Sequence, residues 1–223
     1  NNANPFTGAV SLNTTGSSGN ATVVDASGLD LGASTVGGNL AATATTGNMT
    51  DSGNLTVTGT SSFITSANNA TITLNNTNAL AGAVTITTND DSGTDADVTI
   101  DNGTTALILA ASTIDGDLTL TSGNDITDSG TVTVGGNLLA TTDDNSGLIN
   151  LGTLAVDGTV ALATNRSGNA TVVNDAGLQL AASTVGGALS ATATTGNISD
   201  SGNLAVTGTS TFITGADGSN IIL

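Results

Sequence analysis

The sequence of 223 residues contains no cysteine, glutamate, lysine, histidine, tryptophan or tyrosine, and Arg166 is its one basic residue. The lack of cysteine excludes disulfide cross-links and is compatible with any compartment. The lack of lysine excludes isopeptide cross-links to asparagine or aspartate. All 18 acidic residues are aspartates, so the formal net charge is −17. This charge argues against nucleic acid or an anionic membrane surface as a partner, because both repel it.

Long hydrophobic runs are also missing. No run approaches the roughly 18 apolar residues of a membrane-spanning helix, so membrane insertion is not expected. Residues 1–20 do not resemble a signal peptide, and any export signal is expected to lie outside this sequence. Valine, isoleucine and leucine instead recur at regular intervals among many threonines. Threonine, valine and isoleucine favour pleated strands, so the sequence predicts an all-β fold.

A long internal repeat dominates the chain. Residues 18–67 match residues 167–216 at a constant offset of 149, with 38 of 50 positions identical. A more diverged middle copy includes "LILAASTIDGDLTL" at 107–120, which corresponds to "LDLGASTVGGNLAA" at 29–42. The constant offset between the outer copies indicates that the spacing itself is constrained.

The two ends of the sequence fall at the same point of the repeat. "NNANPFTGAVSL" at 1–12 matches "NNTNALAGAVTI" at 75–86, and "NIIL" at 220–223 aligns with "TITL" at 71–74. These matches define three units, which are 1–74, 75–149 and 150–223. Because no unit is a divergent cap, we expect the chain to be part of a longer polypeptide or to stack end to end.

Each unit contains short alternating strands separated by Gly, Asn, Asp and Ser, which are turn residues. The first unit divides into four stretches of 19, 17, 17 and 21 residues. We interpret each stretch as one coil of a right-handed parallel β-helix (β-solenoid). This division predicts four coils per unit, about twelve in all, and a rod on the order of 60 Å long. Leu55 and Leu204, at equivalent positions, are expected to point in the same direction.

The motifs "LDLGASTVGGNL" at 29–40, "DSGNLTVTG" at 51–59 and "ITLNN" at 72–76 resemble the repeats of filamentous-haemagglutinin-type exoproteins. Gram-negative bacteria secrete these large repeat adhesins through the two-partner pathway. The resemblance covers all three units and implies a β-helical shaft at the cell surface or in the extracellular medium. It also implies a role in adhesion, aggregation or biofilm. The secretion-targeting domain of that family has no match in this sequence.

Catalysis is not expected. Enzymatic β-helices need paired carboxylates in a cleft or an arginine or lysine base. Arg166 lies in the turn "TNRSGN", and its counterparts in the other units are Ser17 and Thr94 or a near neighbour. A basic residue is thus not a feature of the unit, and Arg166 is interpreted as a solvated turn residue. No histidine, cysteine, lysine or tyrosine is available as a nucleophile or base. We therefore predict no catalytic, cofactor-binding or metal-binding residues and no cofactor.

The aspartates offer one alternative, a calcium site in "NDDSGTDAD" at 89–97, because Asp90, Asp91, Asp95 and Asp97 supply oxygen ligands at short spacing. The segment lacks the twelfth-position glutamate of an EF-hand, so loose cation screening is favoured over a specific site. The recurring "DSG" aspartates, which are Asp51, Asp128 and Asp200, are interpreted as caps of Asx-type turns.

The function expected from these observations is a structural and adhesive shaft of an extracellular repeat adhesin or surface filament. The expected partners are further copies of the rod, by axial stacking, and glycans or proteins of a host or neighbouring cell. The alternative is a β-solenoid that binds glycans or ice through a threonine-rich face. Ice binding needs T-x-T at the same place in every coil, and sequences such as "TVV" interrupt the row.

Overall fold

The computed structural model describes residues 2–89 and 95–223, and every regular element in them is a β-strand. The first nine strands are β1 (Ala21–Asp25), β2 (Leu29–Leu31), β3 (Ser34–Val36), β4 (Leu40–Ala44), β5 (Met49–Asp51), β6 (Leu55–Val57), β7 (Ser61–Thr65), β8 (Ile72–Leu74) and β9 (Ala79–Leu80). The next nine are β10 (Val84–Thr87), β11 (Val98–Asp101), β12 (Leu107–Leu109), β13 (Ser112–Ile114), β14 (Leu118–Ser122), β15 (Ile126–Asp128), β16 (Val132–Val134), β17 (Leu138–Thr142) and β18 (Ile149–Val156). The last nine are β19 (Thr159–Thr164), β20 (Ala170–Asn174), β21 (Leu178–Leu180), β22 (Ser183–Val185), β23 (Leu189–Ala193), β24 (Ile198–Asp200), β25 (Leu204–Val206), β26 (Ser210–Thr214) and β27 (Ile221–Ile222).

The strands stack in parallel, and a strand inside a sheet is hydrogen-bonded to the strand one coil before and one coil after it. In β4, for example, Ala42 lies in register with Val23 of β1 on one side and with Phe63 of β7 on the other. Leu40, Ala42 and Ala44 are buried, whereas the intervening residues are only half-buried. Alternate side chains point to opposite faces of a strand, so in β4 the aliphatic residues fill the interior and Thr43 faces outward. The predicted parallel β-solenoid is confirmed. Its right-handed winding stays a prediction.

Two principal sheets of twelve strands each form the long sides of the rod, and a third sheet contains β3, β6 and β9. We call the sheet that begins with β1 sheet A and the sheet that begins with β2 sheet B. The direct path through sheet A runs β1-β4-β7-β10-β12-β15-β18-β20-β23-β26, which is ten strands and therefore nine turns. The prediction of about twelve coils is wrong.

The reason for this error lies in the length of a coil. Consecutive register partners in sheet A are Ala21, Leu40, Ser61, Val84 and Leu109, so one coil takes 19 to 25 residues. The two stretches of 17 residues drawn from the sequence are too short to close a circuit.

The length of a repeat unit is therefore not a whole number of coils. Ala21 and Ala170, at the offset of 149, both lie in sheet A and are separated by seven steps of its strand path. Two units thus make seven coils, and one unit makes three and a half instead of the predicted four. As a consequence, Leu40 of the first unit lies in sheet A, Leu118 of the second in sheet B, and Leu189 of the third again in sheet A.

The interior is a single hydrophobic cluster that extends along the rod. Phe63 is fully buried, and its equivalent Phe212 is half-buried and packs against the same cluster. Leu55 is fully buried, and Leu204 likewise packs against the cluster, so the two leucines share the predicted inward direction. Small residues such as Ala42 and Ala191 fill the narrow space between the two sides.

Candidate functional site

The most regular chemical feature of the surface is a ladder of side-chain amides and carboxylates, here called the corner ladder. Its members precede strands of sheet A in the first unit and strands of sheet B in the middle unit. In the first unit, Oδ1 of Asn20 accepts a hydrogen bond from the backbone N–H of Asn39 at 2.8 Å. Oδ1 of Asn39 in turn accepts one from the N–H of Thr60 at 2.9 Å. Each side chain thus accepts a hydrogen bond from a backbone N–H of the next coil, so the ladder links consecutive coils.

The middle unit has the same ladder with carboxylates in place of amides. Oδ1 of Asp97 accepts from the N–H of Asp117 at 2.8 Å, and Oδ1 of Asp117 accepts from the N–H of Asn137 at 2.6 Å. Asn137 continues the ladder to the N–H of Thr159 at 2.9 Å. Hydrogen bonds to an ionised acceptor are stronger than those between neutral groups. The aspartates of the middle unit therefore keep the coil-to-coil hydrogen bonds that asparagines form in the first unit.

A glycine precedes the donor of each bond because the acceptor comes very close to the backbone. A Cβ atom at Gly38 would lie 2.3 Å from Oδ1 of Asn20, and one at Gly136 would lie 2.2 Å from Oδ1 of Asp117. Only glycine permits such a close approach. The repeated "GN" and "GD" pairs, such as Gly38–Asn39 and Gly116–Asp117, are the sequence signal that marks this ladder.

Two of the "DSG" aspartates, Asp51 and Asp128, cap backbone groups of the next coil instead of their own turn. The carboxylate of Asp128 accepts from the N–H of Gly152 at 2.9 Å, and from the N–H and hydroxyl of Thr153 at 2.7 and 2.8 Å. Gly152 and Thr153 lie where the pairing of β18 with β20 shifts register, between Leu151 and Leu154. A shift of this kind removes backbone donors from the ladder, and Asp128 satisfies them.

Asp51 acts in the same way on Asn75 and Asn76, 24 and 25 residues further along the chain. The Asx-turn interpretation of the "DSG" aspartates is therefore wrong for Asp51 and Asp128. The Asx geometry occurs instead at Asp25, whose Oδ1 accepts from the N–H of Ser27 two residues on, at 2.9 Å.

Inside the rod, buried amides cross-link the coils at one position of the repeat. The side chain of Asn174 accepts from the N–H of Val156 at 2.9 Å and donates to the carbonyls of Val156 and Gly177 at 3.1 and 2.8 Å. Asn102 makes equivalent bonds in the middle unit. The first unit has Asp25 at this position, 1% exposed, and its Oδ2 has no hydrogen-bond partner.

The proposed calcium ligands are placed only in part. Asp90 and Asp91 lie outside the described residues. Asp97 belongs to the corner ladder, and the N–H of Asp95 approaches the carboxylate of Asp115 at 3.4 Å. Over residues 2–89 and 95–223, no group of three or more acidic side chains could hold a metal ion. The described aspartates of this segment therefore act as hydrogen-bonding groups.

Arg166 lies in an exposed turn between β19 and β20, in a left-handed backbone conformation with φ of 52°. The turn rests on that of the preceding coil, where the amide of Asn165 donates to the carbonyl of Asp143 at 2.6 Å. This position agrees with the interpretation of Arg166 as a turn residue.

The outer face of sheet B carries a column of threonines. Thr50, Thr73, Thr99 and Thr119 are register partners on four successive coils. The neighbouring column contains Asp101, Thr121 and Thr141. Among these four coils, T-x-T rows occur only at Thr71 with Thr73 and at Thr119 with Thr121, and the two rows lie on opposite sides of the shared column. The hydroxyls are thus spaced regularly along the rod, by about 4.8 Å, but not across it.

A shallow groove of about 310 Å³ lies beside the register shift of β18, with Leu154 and Val173 as its apolar floor. Thr131, Thr194 and Asp175 border it. Hydroxyls and a carboxylate over an apolar floor are groups that can contact a sugar ring.

The stacked strands, continuous core and coil-to-coil caps define a repeat protein of the parallel β-solenoid class. Within the described part of the chain, no helix has the length and apolar character needed to cross a membrane. The chain belongs to the family described as repeats of unknown function (DUF5649), whose profile matches residues 18–87, 95–143 and 167–223. The three matches begin at equivalent positions of the repeat. No curated protein and no solved structure matches the chain.

Proposed function

We propose that the chain is an extracellular structural segment, the shaft of a bacterial repeat adhesin or surface filament. The observation that carries this proposal is the continuity of the rod, because every strand of the sheet A path from β1 to β26 is paired with the next. A solenoid of this kind lengthens by addition of units, and each unit is stabilised mainly by its neighbours. Such a rod can hold a terminal domain far from a surface.

The charge distribution supports the same role. With 18 aspartates and one arginine, neighbouring rods repel each other sideways. The caps at Asp51 and Asp128, by contrast, act along the rod axis. Contacts between copies are therefore proposed to be axial, with glycans or proteins of another cell as the further partners of the assembled adhesin. The proposed location is the cell surface or the extracellular medium.

Display of the chain on bacteria through an inert surface anchor tests this proposal. Cells that carry the folded rod are expected to aggregate or attach to surfaces more than cells that carry the anchor alone. The matched control is a rod unfolded by Leu118→Asp and Leu162→Asp, two buried core positions. Equal aggregation with the anchor alone, the folded rod and the unfolded control would contradict an adhesive role.

The threonine column on sheet B favours a second candidate function, binding of glycans to that face. A glycan array probed with the purified rod tests it, together with an ice-affinity assay for the related possibility of ice binding. Thr73→Val and Thr99→Val are expected to abolish any signal, because they remove two adjacent hydroxyls of the column. Thr171→Val, on the outer face of sheet A, is the control. A signal that survives the sheet B substitutions would exclude this face as the binding site.

A further inference from the structure

The shallow groove beside β18, here called the bulge groove, lies at a junction of units that departs from the repeat. Where the first unit meets the second, four residues separate "ITL" at 72–74 from "AL" at 79–80, and these two segments form separate strands. Where the second unit meets the third, only three residues separate "INL" at 149–151 from "AV" at 155–156, and β18 runs through the whole segment. The bulge groove lies over this shorter connection.

The bulge groove extends along the rod axis over four successive coils. Thr131, Leu154, Val173 and Thr194 line it, and they belong to or directly adjoin β16, β18, β20 and β23, which follow one another in sheet A. Three steps between coils give the groove a length of roughly 14 Å. Its floor is aliphatic, and none of its described lining residues is aromatic.

Asp175 is the charged residue of the bulge groove, and its backbone is held on both sides. Its N–H donates to the carbonyl of Leu154 at 2.9 Å, and its carbonyl accepts from the hydroxyls of Thr194 and Thr195, the latter at 3.0 Å. Asp175 is exposed, and within residues 2–89 and 95–223 its carboxylate receives no hydrogen bond. The groove therefore presents a negative charge, on an anchored residue, beside an apolar floor.

The charge at position 175 is not a feature of the repeat. Its equivalent at the offset of 149 is Ala26, whereas Thr194 has the identical residue Thr45 as its equivalent. The third unit thus differs from the first at the position that gives the bulge groove its charge. Because alanine stands at this position in the first unit, the substitution Asp175→Ala is compatible with the coil.

We infer that the bulge groove binds a basic side chain, lysine or arginine, of a partner protein. The aliphatic stem of such a side chain lies on Leu154 and Val173, and its cationic head meets the carboxylate of Asp175. The sequence has 18 aspartates and one arginine, so the rod attracts cations and repels anions. A volume of about 310 Å³ has room for one such side chain. The inference rests on the proposed function, for which it names the chemistry of the protein partner.

A sugar ring is the competing occupant of the bulge groove. Two of the three threonine hydroxyls that line the groove already donate within the protein, Thr153 to the carboxylate of Asp128 and Thr194 to the carbonyl of Asp175. Few polar groups remain to fix the orientation of a ring. The carboxylate of Asp175, by contrast, is available to a cation, so the arrangement favours the basic side chain.

An NMR titration of the ¹⁵N-labelled protein with a capped trilysine peptide tests the inference. The amide signals of Gly152, Val173 and Asp175 are expected to shift and to saturate. Asp175→Ala is expected to weaken binding by about threefold, the effect of one lost ion pair at a surface. Asp143→Ala removes the same charge from an exposed residue in the turn between β17 and β18 and is expected to leave the affinity unchanged. Equal affinities of the two variants would show general screening of the acidic rod and would overturn the inference.

A second variant and a second ligand test the floor and the competing occupant. Val173→Thr keeps the shape of the side chain and is expected to weaken trilysine binding by about threefold, because a methyl contact with the lysine stem is lost. Methyl glucoside is expected to leave the signals of Gly152, Val173 and Asp175 unchanged. Shifts of these signals with the glucoside and none with trilysine would overturn the inference in favour of a sugar site. The titration uses purified protein, so its failure leaves the result of the surface-display experiment, and with it the proposed function, unaffected.

Discussion

Leu40 and Leu118 occupy equivalent positions of the repeat, yet Leu40 lies in sheet A and Leu118 in sheet B. The relationship follows from the length of a unit, which makes three and a half coils. Each unit is therefore turned by half a revolution relative to the one before it, and any surface motif alternates between the two sides. The same motif returns to the same side after seven coils, about 34 Å at 4.8 Å per coil.

Deletion of one whole unit, residues 75–149, tests this relationship. Residue 150 would then follow residue 74 at a junction of the same phase, so the shortened chain is expected to fold. Its rod is expected to be shorter by three and a half coils, about 17 Å, measured by small-angle X-ray scattering. Deletion of residues 75–111, half a unit, is the control. It is expected to lower the melting temperature strongly, because the strands after the deletion would no longer align with the strands of the preceding coil. Equal stability of both deletions would contradict the account.

The Asp128 cap is expected to contribute to stability through three hydrogen bonds. Asp128→Ala leaves the N–H groups of Gly152 and Thr153 without their acceptor. Both groups are exposed, so water can take its place, and the expected loss of stability is about 0.5–1.5 kcal/mol. Thermal unfolding followed by circular dichroism measures this loss. Asp157→Ala, an exposed aspartate, is the matched control and is expected to change stability by less than about 0.5 kcal/mol. A similar loss in both variants would indicate that charge matters more than the cap.

The corner ladder depends on glycine at each close approach. Gly136→Ala places a Cβ atom 2.2 Å from Oδ1 of Asp117, so the coil must shift or the hydrogen bond to Asn137 must break. We expect a destabilisation of about 1–3 kcal/mol in urea unfolding. Gly8→Ala, where a Cβ atom meets nothing within 4 Å, is expected to be neutral. An unchanged unfolding midpoint for Gly136→Ala would show that the ladder is dispensable.

Asp25 is a position at which the first unit departs unfavourably from the third. Its Oδ2 is buried without a partner, whereas the amide of Asn174 donates to the carbonyl of Gly177 three residues on. Asp25→Asn offers Gly28 the same bond and is expected to raise stability at neutral pH by about 1 kcal/mol. Asn174→Asp, the reverse change, is expected to lower it. The two melting temperatures check the prediction, and a lower melting temperature for Asp25→Asn would contradict it.

Much of the fold could be predicted from the sequence because strand alternation and turn residues are local signals. The inward direction of Leu55 and Leu204 follows from such alternation. The number of coils could not be predicted in the same way, because Gly, Asn and Ser mark turns within a side as well as turns between sides. Only the register, such as that of Leu40 with Ser61, shows where a circuit closes.

The partners of the polar residues were harder to predict for a related reason. Asp51 and Asp128 resemble turn caps in the sequence, and their donors lie 24 and 25 residues away on another coil. The corner ladder, by contrast, has a local signal in the glycine that precedes Asn39 or Asp117. This signal could have been used, because a glycine repeated beside a polar residue often marks a close approach of backbone.

Disulfide trapping tests the central claim, the winding of the chain into coils of defined register. Ala41 and Ser62 are register partners on the outer face of β4 and β7, at a separation that permits a disulfide. The natural sequence has no cysteine, so a double Ala41→Cys, Ser62→Cys variant provides an unambiguous signal in peptide mass spectrometry after mild oxidation. We expect a complete cross-link in this variant and none in Ala41→Cys, Thr58→Cys, the pair that coils of 17 residues would bring together. The opposite result would contradict the coil register and with it the half-turn relation between units.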